Sequence, residues 1–109
     1  MKCSEVYSRL KTIGIPVAYH HFTKSPEIPF CVYLTGDRTQ RGSDSINLLE
    51  EHTFRIELYT ETKNEELENK ILKLFNDKEI DIYETYIESE KLYQVVFEFE
   101  ETVKLTGGN

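Results

Sequence analysis

From His52 to Thr60 the chain reads HTFRIELYT, and its side chains alternate without a break. Phe54, Ile56 and Leu58 fall on one side, Arg55, Glu57 and Tyr59 on the other. Successive residues of an extended strand point to opposite faces, so this pattern demands a strand with one face in a core and one in water. It constrains the rest of the chain, because a single half-buried strand needs sheet partners and a covering layer.

The partners can be found by the same test. VAYHHF (17–22) and PFCVYLT (29–35) read as strands separated by the loop TKSPEIP, the second with Phe30, Val32 and Leu34 on one side. The run IDIYETYIESEKLYQVVFEFEE (80–101) holds two alternating segments around Glu88 to Lys91, with Tyr93, Val95, Phe97 and Phe99 as an apolar stripe, and reads as a hairpin.

Two segments change period. Cys3, Val6, Leu10 and Ile13 recur every three or four residues, the spacing of one helix face, and Gly14 and Pro16 end it. KNEELENKILKLFND offers Asn64 as a cap, acids in the first turn, and Leu67, Ile71, Leu74 and Phe75 on one side. The expected architecture is α+β, in the order α-β-β-β-α-β-β. It has a mostly antiparallel sheet of about five strands and two helices on one face. A chain of 109 residues suits one domain, placed at 1–105, with 106–109 as a frayed tail.

Charge narrows the function. Residues 1–42 hold six Lys or Arg against three acids and residues 43–109 seven against 17, so charges of +3 and −10 make up the net −7. Such a chain repels a polyanion, which argues against sequence-specific nucleic-acid binding. No apolar run approaches a membrane span, and MKCSEVYSRL lacks the apolar stretch of a signal peptide, so a cytoplasmic protein without a membrane partner is expected.

The chemistry-bearing residues give little sign of a reaction centre. His20 and His21 would point to opposite faces of a regular strand and so would not share a metal ion. His21 with Cys31 or His52 is geometrically open, but Cys31 in an apolar strand reads as a small core residue. Cys3 and Cys31 lack zinc or redox spacing. There is no phosphate-binding glycine loop, no HExxH and no GxSxG. No enzyme activity, cofactor or metal is expected.

The polar segment GDRTQRGSDSINLLEE (36–51) is too long for a tight hairpin and reads as a projecting loop. It would present Arg38, Arg41, Asp44, Ile46, Leu48 and Leu49 to a partner. A second contact row is expected at Glu84, Tyr86 and Glu88, beside Gln94 and Val96 on the neighbouring strand.

Taken together, RLKTIGIPVAYHHF, IPFCVYL, FRIELYTETKNEELENKI and YETYIESEKLYQVVFEFE resemble the small tail-completion or tail-terminator proteins of long-tailed phages and prophages of Gram-positive bacteria. The resemblance spans nearly the whole chain. It implies a head-tail joining subunit, without catalytic residues, that assembles with itself into a ring, a hexamer being the implied size. The ring would cap the tail-tube protein and meet the head-connector protein, forming in the host cytoplasm and remaining in the virion tail. The competing class is an acidic inhibitor that mimics nucleic acid, supported by the acidic excess after residue 42. Against it stand Lys70, Lys73 and Lys78, which interrupt the acids of the second helix.

Overall fold

A computed structural model describes residues 2–24, 26–42 and 47–106. Its elements are α1 (Cys3–Lys11), β1 (Val17–Tyr19), β2 (Phe30–Gly42), β3 (Asn47–Thr60), α2 (Glu65–Leu74), β4 (Asp81–Ile87) and β5 (Leu92–Thr106). The order is the expected one. The strands form one sheet, β1-β2-β3-β5-β4, in which β1 and β2 are parallel and every other pair antiparallel.

Both helices pack on the same face. Cross-strand rows set Ile56 beside Phe97 and Leu58 beside Val95, with Cys31 and Tyr33 continuing the rows onto β2. Over them lie Val6 and Leu10 of α1 and Leu67 and Ile71 of α2, all within one buried cluster that also takes in Phe75. The alternation that marked Phe54, Ile56, Leu58, Val95 and Phe97 therefore identified the core face of the sheet. The helix ends are satisfied locally: Leu67 N–H donates to Asn64 Oδ1 at 3.1 Å, opening α2. At its far end Arg9 Nη1 donates to Leu74 O at 3.0 Å and to Asp77 Oδ1 at 2.9 Å, tying α1 to the C-terminal turn of α2.

Of the two sides of β2, Phe30, Val32 and Leu34 lie on the face away from the helices, and Cys31, expected as a small core residue, enters the core with Tyr33. Two expectations need correction. Strand β1 ends at Tyr19, because His20 takes a φ of 67° and turns the chain out of the sheet. Residues 36–42 and 47–51 do not form a loop. Strand β2 continues to Gly42 and β3 begins at Asn47, so most of the segment is an extension of the β2–β3 ladder. Between Thr35 and Arg38 the register slips by one residue, since Thr35 faces Phe54 whereas Arg38 faces His52. Such a bulge breaks the period-two pattern, which explains why the sequence looks irregular there.

β5 accompanies β3 along its whole length, pairing Asn47 with Thr106. The molecule is accordingly elongated, measuring 51 Å by 26 Å by 23 Å. A three-stranded arm leaves a helix-covered body.

Candidate assembly interface

The arm begins where the helix layer ends, beyond the stacked rings of Phe54 and Phe99, whose centroids are 5.4 Å apart. Past that row the helix side of the sheet carries polar groups. Glu50 accepts from Arg38 Nε at 2.7 Å and from Arg38 Nη2, and His52 Nε2 approaches the same Oε1 at 2.8 Å. The Arg38 hydrogen bonds hold the Glu50 carboxyl below the usual carboxylate range against its partial desolvation. At the base of the arm Lys78 Nζ donates to both carboxylate oxygens of Glu101 at 2.8 Å. Burial alone would raise the Glu101 pKa, but the hydrogen bonds and positive charges around it, the Lys78 hydrogen bond first among them, outweigh it and the pKa is lowered.

The two sets of expected contact residues are not brought together. Arg38 and Leu49 lie in the arm, both exposed, and Arg41 pairs with Leu49 across the ladder. Leu48 sits in β3 between Gly42 and Leu105. Asp44 and Ile46 lie outside the described residues. Glu84 and Tyr86 are at the other end of the sheet, opposite Val95 and Tyr93, and so on the helix side. Gln94 and Val96 pair instead with Thr85 and Tyr83 on the opposite face, so the expected continuous row does not exist. Glu88 lies in the turn that follows β4. Glu84 is bound to Lys63, which also reaches Glu68 Oε1 at 2.9 Å. From Tyr93 to Thr102 the chain runs fully extended, which separates the two sets by about 30 Å at 3.3 Å per residue.

The sequence reading missed a third feature. On the face away from the helices, Glu79, Asp81, Glu98 and Glu100 surround a hollow of about 450 Å³ together with Thr53, Phe99 and Thr102. No local motif announces it, because the pairing of Asp81 with Glu98 across β4 and β5 is what gathers these acids.

The histidine pair also departs from expectation. Out of the strand, His20 Nδ1 and His21 Nδ1 stand 3.3 Å apart, so opposed strand faces do not separate them. The Cys31 thiol is buried, and burial first, then the Glu57 charge, pushes its pKa to about 12. His52 is in the arm with Glu50. Among the described residues no group of three or more His, Cys, Asp or Glu side chains is arranged to hold a metal ion.

The edges of the arm complete the site. Strand β1 pairs with β2 only from Cys31 to Tyr33, and β4 pairs with β5 only from Leu92 to Glu98. Among the described residues no strand lies along the outer edge of β2 after Tyr33 or along the outer edge of β5 after Glu98, the opposite edge of each being paired with β3. The chain is thus an α+β domain whose sheet projects with both borders open.

No protein-family model and no curated protein matches the chain. Among solved structures, a chain from the virion of a native gene transfer agent (GTA) particle is similar, with a TM-score of 0.60, 14% sequence identity and 92% of each chain covered. At that identity the likeness is one of fold, and it includes nearly the whole of both chains.

Proposed function

We propose that this chain is a structural subunit of a phage or phage-derived particle, which completes the tail tube and joins it to the head connector as a ring of identical copies. The observation that supports it most is the fold shared over 92% of both chains with a component of a gene transfer agent virion. The resemblance of the sequence to tail-completion proteins points the same way. A subunit of this kind works by contact, and its partners are its own copies, the tail-tube protein and the connector. Assembly takes place in the host cytoplasm and the product stays in the tail.

The inhibitor class fits the surface less well. Several acids that would form a nucleic-acid mimic are held by bases instead: Glu101 by Lys78, Glu57 by Arg55, and Glu68 and Glu84 by Lys63. A mimic needs an uncompensated acidic stripe.

The test is to add purified protein to tail tubes during their polymerisation and measure tube length by electron microscopy. The protein should cap the tubes and stop growth. Replacing Arg38 and Arg41 by Glu should weaken capping, most clearly at low salt, where charge contacts between exposed groups are least screened. Identical length distributions with and without the wild-type protein would remove the tail-completion reading.

A further inference from the structure

The arm has two borders of similar length, and they differ in charge. Among the described residues β2 has no outer partner from Leu34 to Gly42, a stretch with Arg38 and Arg41 against one acid, Asp37. Among the described residues β5 has no outer partner from Phe99 to Thr106, a stretch with Glu100 and Glu101 against one base, Lys104, and beside its start stand Glu98, Asp81 and Glu79. The ladder fixes which backbone groups face outward. Cys31 N–H donates to Pro16 O and Tyr33 O accepts from His20 N–H, so the odd residues of β2 face β1 there. Following the alternation through the bulge and across β3 leaves Arg38, Gln40 and Gly42 facing outward from β2, and Glu100, Thr102, Lys104 and Thr106 outward from β5. Rows of outward donors and acceptors are templates for another strand.

We propose that the free border of β2 in one copy pairs with the free border of β5 in a second copy, which makes one continuous sheet across the subunit boundary. The occupant of each border is therefore this same chain. Charge selects the pairing: β2 against β2 brings Arg38 and Arg41 of two copies together, and β5 against β5 brings the acids together, whereas β2 against β5 joins opposites. Direction agrees with it. β2 and β5 are each antiparallel to β3 and so run the same way, and a rotation about an axis along the strands meets them as a parallel pair. A contact between two different borders repeats from copy to copy, and it closes into a ring when the rotation closes. The inference deepens the ring reading above by naming its surface.

Thr39 and Thr102 flank Glu51 in one cross-strand row, and both are exposed. Full-length chains with Cys3→Ser and either Thr39→Cys or Thr102→Cys, with different tags, would be mixed at high concentration and joined with a short bismaleimide. The mixed dimer should exceed each like-with-like dimer several-fold, and the excess should shrink with added salt. Gln40→Pro on the Thr39→Cys chain removes one outward N–H without touching the β2–β3 ladder, and should abolish the mixed product. Like-with-like dimers equal to the mixed one would overturn the proposal, as would a yield no higher than that of a control pair built on Glu66→Cys in α2. Capped tubes without the mixed cross-link would overturn the edge contact alone. The mixed cross-link without capping would support the contact and remove only the tail-completion reading.

Discussion

Replacing Phe97 by alanine removes a phenyl ring that is wholly buried and lies between Ile56 of β3 and Ile82 of β4 in one cross-strand row. Returning such a side chain to water forfeits about 2 to 3 kcal/mol of transfer free energy. The hole is bounded on two sides by sheet neighbours that cannot move without breaking ladders, so collapse will be partial. If about 50 Å³ remains, at about 24 cal/mol per Å³, it adds about 1 kcal/mol. The expected loss is therefore about 3 to 4 kcal/mol, a large share of the roughly 5 to 15 kcal/mol available to a domain. Urea titration followed by far-ultraviolet circular dichroism measures it. With a slope of about 1 to 2 kcal/mol per M, the midpoint should fall by about 1.5 to 4 M while the slope stays constant. Tyr83→Ala is the control, since Tyr83 is half exposed on the face away from the helices and should cost about 1 kcal/mol or less. A Phe97→Ala loss under about 1 kcal/mol would refute the assignment of the core face.

The two cysteines should titrate in separate steps. Cys3, which is half-buried, should react with a thiol reagent in the native protein, and Cys31, buried and with its pKa pushed to about 12, only on unfolding; two equal fast equivalents would contradict its burial. The Lys78–Glu101 pair should leave an acid signature. Because the Glu101 pKa is lowered in the folded state, its contribution is complete above the unfolded value of about 4.3 and is lost as pH falls through the folded value. The stability gap between wild type and Lys78→Met should therefore be wide at neutral pH and narrow in acid, as read from urea midpoints, and a gap independent of pH would show that the pair does not act through charge.

How much of this was legible beforehand depends on whether a segment lies under the helices. Under them, the helix-side residues of β3 and β5 are fully buried while most on the other face are only partly covered, and the alternation of Phe54, Ile56 and Leu58 or Val95, Phe97 and Phe99 follows directly. Both helices announced themselves for the same reason, through Val6 and Leu10 and through Leu67 and Ile71. In the arm, where the helix layer is absent, no such contrast exists. The segment GDRTQRG therefore read as a loop although it is a strand with a bulge.

The sequence by itself determined the element order, the core face of β3 and β5 and the acidic balance, because local periodicity records which side of an element is buried. Only the tertiary structure decided that Tyr33 joins Cys31 in the core, that 36–42 and 47–51 extend a ladder, and that the acids of β4 and β5 meet in one hollow. Those outcomes depend on pairing between residues distant in the chain. A one-residue bulge or register choice sets them, and neither leaves a local pattern in the sequence.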